Sequence, residues 1–229
     1  MKIYIFDFIS FEHFDSFNTC KNSSGLVSIA TEPDNTIIAY PSEEQGHVIV
    51  KTYNGHKESI EKDIQAHESN IACFSLNNNG SLLATASDKG TLIRVFNVID
   101  GTRVKELRRG SENAFIYSIS FDRESKFLCC TSDRTTVHIF AIENREFKNH
   151  ISFMSKMTKL FNKNSNTYFD SEWSFARFKI NETKSIGCFG ANNTIIIVTA
   201  NGKYYQAQFD PTKEGNCKKI NEAMLTFEK

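Results

Sequence analysis

Two stretches of this chain repeat one pattern about 45 residues apart: NIACFSLNNNGSLLATASDKGTLIRVFNVIDG and FIYSISFDRESKFLCCTSDRTTVHIFAIEN. Each reads as an inner strand ending in a polar turn, a second strand ending in Ser-Asp, a short link, and a third strand that opens on Thr and closes on Phe. That period belongs to the four-stranded blade of a β-propeller. A blade cannot bury both of its apolar faces alone, so its neighbours must stack on it around an axis.

The rest of the chain obeys the same rhythm. Short apolar runs follow one another with turn signals between them, among them KIYIFDF, GLVSIATEP, TIIAYPS and HVIVKTY before the repeats and WSFARFKI, SIGCFGAN, TIIIVTAN and KYYQAQFD after them. Aromatic and β-branched residues dominate the apolar set, and extended helical periodicity is hard to find. The expected fold is all-β and WD40-like.

Charge narrows the function. With 27 Lys plus Arg against 27 Asp plus Glu there is no net basic field to draw the chain onto nucleic acid, so any anion binding must be local. The six cysteines show no CxxC spacing, and four of them sit in apolar runs, which predicts buried thiols in a reduced, intracellular protein. The amino end alternates polar and apolar residues, unlike a signal peptide, and no run approaches a membrane span of roughly 20 apolar residues. No GxSxG, HExxH, P-loop or GxGxxG occurs, and His and Cys lack metal-ligand spacing, so no catalytic residue, cofactor or metal is expected.

The segment from HESNIACFSLNNNG to the Leu107-Arg108-Arg109-Gly110 step, followed by FLCCTSDRTTVHIFAI, resembles the PROPPIN family of WD40-like seven-bladed propellers. The hallmark of that family is Phe/Leu-Arg-Arg-Gly. The resemblance implies binding of phosphatidylinositol 3-phosphate and the 3,5-bisphosphate, and a cytoplasmic effector peripherally associated with autophagosomal precursor or endosomal membranes. It also implies autophagy scaffold or lipid-transfer proteins as partners. On this reading residues 1–19 are a remnant of the third blade, 20–67 the fourth, 68–112 the fifth, 113–172 the sixth with a membrane loop at 147–168, and 173–229 the seventh with a tail. That is an incomplete propeller of about 4.5 four-stranded blades.

Adjacent residues on an extended strand point to opposite sides. If Arg108 and Arg109 lie on an outer strand at a blade junction, each guanidinium enters a different groove, where its planar fork can grip two phosphate oxygens. The resemblance implies a first pocket of Ser87, Thr91, Arg94 and Arg108, with His67 as a further member. It implies a second pocket of Arg109, Ser132, Thr136 and His138, the last three expected in places equivalent to Ser87, Thr91 and Arg94. Asp88 and Asp133 read as structural. Taken alone, Ser87, Ser132 and His67 would sooner hold turns than a ligand.

One further segment interrupts the rhythm. HISFMSKMTKLFNKNSNTYF is too long for a hairpin turn. Phe153, Met154, Met157, Leu160 and Phe161 could form one apolar face with Lys156, Lys159 and Lys163 beside it, as in an interfacial segment, and the corresponding family loop inserts into the bilayer. The competing expectation is a WD40-type scaffold that binds proteins and no lipid.

Overall fold

The computed structural model describes residues 1–32, 35–54, 58–143 and 171–225. Among them there are twenty strands and no α-helix. Strands β1 (Lys2–Phe6) and β2 (His13–Asn18) form a first, two-stranded sheet. The second sheet runs in chain order through β3 (Ser28–Glu32), β4 (Asn35–Pro41), β5 (His47–Asn54) and β6 (Glu58–Gln65). The third takes β7 (Ile71–Leu76), β8 (Leu82–Ser87), β9 (Leu92–Asn97) and β10 (Arg103–Arg108). The fourth takes β11 (Ile116–Phe121), β12 (Phe127–Ser132), β13 (Thr136–Ala141) and β15 (Ala176–Lys179). The fifth takes β16 (Ser185–Phe189), β17 (Thr194–Thr199), β18 (Lys203–Gln208) and β20 (Lys218–Met224).

Within each of these sheets the neighbouring strands are antiparallel, and the innermost strands β3, β7, β11 and β16 lie side by side. The result is a stack of four complete blades and a two-stranded remnant, an incomplete propeller. Two short strands, β14 (Glu172–Trp173) and β19 (Gly215–Asn216), pair in parallel with the outer edges of β10 and β15. They cover edge groups that would otherwise template association with other chains.

Strand alternation fills every seam between blades. On β13, Val137 and Ile139 face the fifth sheet and pack with Phe178, Ile195, Ile197 and Tyr205. His138 and Phe140 face the other way, where Phe140 joins Ile93, Val95, Leu107, Ile116 and Leu128 between the third and fourth sheets. Val48, Val50, Ile64, Phe74, Leu83 and Phe96 fill the seam between the second and third. The remnant is held by Phe17 stacked on Tyr40 with ring centroids 4.5 Å apart, and by Ile3, Ile5 and Phe14 against the same cluster.

Two expectations need correction. The strand in WSFARFKI does not open a seventh blade at residue 173: Thr136 to Ile139 pair with Lys179 to Ala176, so β15 is the outer strand of the fourth sheet and the next blade starts at Ser185. The long insertion after β13 separates that outer strand from its own repeat, which is why the linear rhythm assigned it forward. Of the four cysteines in apolar runs, Cys73, Cys129 and Cys130 are buried, but Cys188 is exposed, because it lies on the face of β16 turned away from the fourth sheet.

Candidate functional site

Leu107 is fully buried between the third and fourth sheets. Its neighbours on β10, Glu106 and Arg108, therefore face the seam between the second and third sheets, and Arg109 turns back toward the fourth. Arg108 Nε donates to Ser171 Oγ at 2.8 Å, from the segment that returns to β10 just before β14. Arg109 Nε donates to the Gly90 carbonyl at 2.9 Å, and its guanidinium also reaches the carbonyl of Glu112. Both arginines are 7% exposed. Burial pulls the Arg109 pKa below the ordinary arginine range. The link at Gly90 has φ +61°, and a Cβ there would stand 1.8 Å from the Ala114 carbonyl oxygen, so the close approach that offers Arg109 its acceptor needs glycine.

The first cleft gathers His67, Thr85, Ser87, Arg94, Glu106 and Arg108. His67 leaves the second sheet and lies with Nε2 3.0 Å from Thr85 Oγ1 on the third. Burial first, and the charge of Arg94 second, lower its pKa to about 4, so the ring is neutral at pH 7. Arg94 Nε donates to Glu106 Oε2 at 2.9 Å and Arg94 Nη1 to the Ala66 carbonyl at 2.8 Å. Arg103 Nη1 reaches the same Glu106 oxygen at 2.8 Å.

The second cleft lies between the third and fourth sheets and holds Arg109, Ser132, Thr136 and His138. His138 has a pKa lowered to about 4, by burial first and then by Arg109 and Arg177. Its Nδ1 is buried without a hydrogen-bond partner among the described residues. Most buried polar atoms have a partner, so this ring nitrogen beside a guanidinium is a hydrogen-bonding atom of the cleft that the described residues do not use. Ser132 Oγ accepts from the Arg134 amide at 3.2 Å. The outer strand adds two cations that sequence reading missed. Arg177 is the register partner of His138 and Lys179 that of Thr136. Because Ala176 and Phe178 pack toward the fifth sheet, Arg177 and Lys179 alternate into this cleft. Their alternation is visible in the sequence, but the linear rhythm places this strand in the following blade, away from His138.

Thr91 is not the counterpart of Thr136. Leu92 opens β9 opposite Arg108, whereas Thr136 opens β13 opposite Lys179. The first repeat carries one more turn residue, Gly90 included, before its third strand begins. Thr91 instead lends its carbonyl to the amide of Arg109 at 2.9 Å. Asp88 and Asp133 tie their turns to the chain just before the innermost strands, Asp88 Oδ2 accepting from Asn70 Nδ2 at 3.3 Å and Asp133 Oδ1 from the Phe115 amide at 3.1 Å. Phe153, Met154, Met157, Leu160 and Phe161 lie outside the described residues.

Two other features lie away from the clefts. Glu44, His47 and Asp63 bring three potential metal-ligand atoms within 4.8 Å of one another, but His47 Nδ1 is hydrogen-bonded to Asp63 at 2.9 Å, an ordinary surface pairing. A cavity of about 400 Å³ opens near Asn22, Gly46, Asn70, Asp88 and Phe115, without any of the cleft arginines in its lining.

Blade sheets stacked on neighbouring inner strands, with cationic clefts at two seams, define the class: a WD40-like β-propeller, incomplete in this chain. The PROPPIN family model matches residues 2–226, and the chain belongs to the PROPPIN family. It is 34% identical over 219 residues to Autophagy-related protein 18e of Arabidopsis thaliana, covering 93% of this chain and 56% of that protein. It is 31% identical over 250 residues to Autophagy-related protein 18 of Dictyostelium discoideum, covering 99% and 66%. The chain therefore spans less than two thirds of the length of these relatives. Among solved structures, Kluyveromyces lactis Hsv2 superposes with a TM-score of 0.73 at 20% identity, covering 97% of this chain and 68% of that one. KlAtg21, solved in complex with the coiled coil of AgAtg16, superposes with a TM-score of 0.72 at 24% identity, covering 98% and 65%.

Proposed function

We propose that this chain reads phosphorylated inositol lipids, phosphatidylinositol 3-phosphate and the 3,5-bisphosphate, as a peripheral membrane effector in autophagosome formation or endosomal traffic. The carrying observation is the divergence of Arg108 and Arg109 from one strand end into two seams, each already lined by hydroxyls and a buried neutral histidine. A phosphate entering the second cleft would give Arg109 a charged acceptor in place of the Gly90 and Glu112 carbonyls, and charge-assisted hydrogen bonds are roughly twice as strong as neutral ones. Two weak sites on one rigid body gain avidity on a membrane, where lipids present many copies of the ligand. Membership of the PROPPIN family and likeness to autophagy-related proteins support the same reading.

Replacing both Arg108 and Arg109 by threonine should abolish flotation with vesicles carrying phosphatidylinositol 3-phosphate while the circular dichroism of the sheets persists. Unchanged flotation of the folded double variant would overturn the proposal. A second reading, a scaffold that engages proteins without lipid, is favoured by the coiled-coil complex of the structural neighbour. It predicts protein capture that is indifferent to the same substitutions.

A further inference from the structure

The two clefts are built on the same register and differ in charge at two positions, a neutral histidine standing for an arginine at one and a cation for a carboxylate at the other. In the third sheet Arg94 is paired opposite Glu106 and Leu92 opposite Arg108. In the fourth, His138 is paired opposite Arg177 and Thr136 opposite Lys179. Arg108 and Lys179 thus hold equivalent places, and so do Arg94 and His138. Glu106 and Arg177 also correspond, and there the sign of the charge is reversed.

We propose that this exchange makes the clefts selective for differently charged rings: the first takes an inositol ring with a single phosphate besides its phosphodiester, and the second a ring with two. The inference rests on the headgroup reading above and assigns Glu106 and Arg177 as its specificity-determining residues.

The Glu106 carboxylate is 10% exposed and is held by Arg94 at 2.9 Å and Arg103 at 2.8 Å. It already takes the Nε donor of Arg94, and it stands two residues from Arg108 on the same face. One phosphate can be shared between Arg108 and the remaining donors of Arg94. A second would be driven against a carboxylate shielded from water, where like charges repel most. In the second cleft, Arg177 and Lys179 stand opposite His138 and Thr136 on the paired strand, the charges of Arg109 and Arg177 both act on His138, and the Nδ1 of His138 has no partner among the described residues. Among the described residues, the Arg177 guanidinium is engaged by a neutral group at its Nε, Ser174 Oγ at 2.8 Å. The carboxylates at this end, Glu112 and Asp133, are paired with Arg134 at 3.3 and 4.0 Å. No acid occupies the register place of Glu106, so a doubly phosphorylated ring meets cations from both blades.

The test isolates each cleft. Arg109→Thr leaves the first and Arg108→Thr the second, and each variant is floated with vesicles carrying either phosphatidylinositol 3-phosphate or the 3,5-bisphosphate. Arg109→Thr should favour the monophosphate and Arg108→Thr the bisphosphate, each by about tenfold. Adding Glu106→Gln to Arg109→Thr should erase the monophosphate preference, and adding Arg177→Gln to Arg108→Thr should erase the other. Competition with the free inositol 1,3-bisphosphate and 1,3,5-trisphosphate should give the same ratios, separating ring recognition from membrane retention. Equal preferences in the two single variants, loss of all binding in both, or no response to Glu106→Gln would overturn this inference. If instead the Arg108/Arg109 double variant still floats like the unmodified chain, the headgroup reading itself fails.

Discussion

His67 and Thr85 join two blades across a seam: the ring nitrogen Nε2 lies 3.0 Å from the hydroxyl oxygen, with both residues buried. Thr85→Val keeps the shape of the side chain but leaves the imidazole of His67 unsatisfied, which costs about 1–3 kcal/mol. The expected result is a lower urea midpoint with an unchanged slope. His67→Phe combined with Thr85→Val should lose less than the single valine variant, because both polar partners are then gone.

Acid should weaken the fold through two histidines. His67 and His138 have pKa values lowered by burial to about 4, while the unfolded chain titrates near 6.5. Between those values the unfolded state binds more protons than the native one. Stability is therefore level above about pH 6.5 and falls as pH drops toward 4. Urea midpoints at pH 7.5 and pH 5 measure this, and His138→Phe should flatten the difference.

Ligand binding should couple to the same proton in the opposite sense. A phosphate beside His138 favours the charged ring, so binding at pH 6 should take up protons. Calorimetry in buffers of different ionisation enthalpy reads the uptake, and His138→Phe should remove it.

Gly90→Ala should act on the second cleft through the backbone. A Cβ at φ +61°, 1.8 Å from the Ala114 oxygen, displaces the link whose carbonyl holds Arg109. A loss of about 1–3 kcal/mol is expected. Combined with Arg108→Thr, it should weaken vesicle flotation further, since only the second cleft then remains.

Leu107→Ala tests whether seam packing positions the two arginines. Leu107 is completely buried between the third and fourth sheets, and its truncation should cost about 2–5 kcal/mol. Part of that loss should appear as weaker binding at both clefts, because β10 is the element from which both guanidinium groups diverge.

Local pattern was enough to identify the blades. The repeated Ser-Asp turns, the apolar alternation and the Arg108-Arg109 step all lie within single repeats, and strand geometry converts each into a direction in space. Ser87 with Ser132 and Arg94 with His138 could be matched from the repeats alone for that reason. Thr91 could not, because one extra turn residue shifts the register of the following strand.

What the amino-acid order determined by itself is the all-β repeat and the splaying of two adjacent arginines, since both follow from the two-residue period of extended chain. What only the tertiary structure decided is which strand closes which blade, and hence the company those arginines keep. β15 reaches β13 across a long insertion, bringing Arg177 and Lys179 to one cleft, while Glu106 is set against Arg94 in the other. Pairing between distant strands is selected by burial of complementary faces over the whole sheet, a choice that local spacing cannot encode.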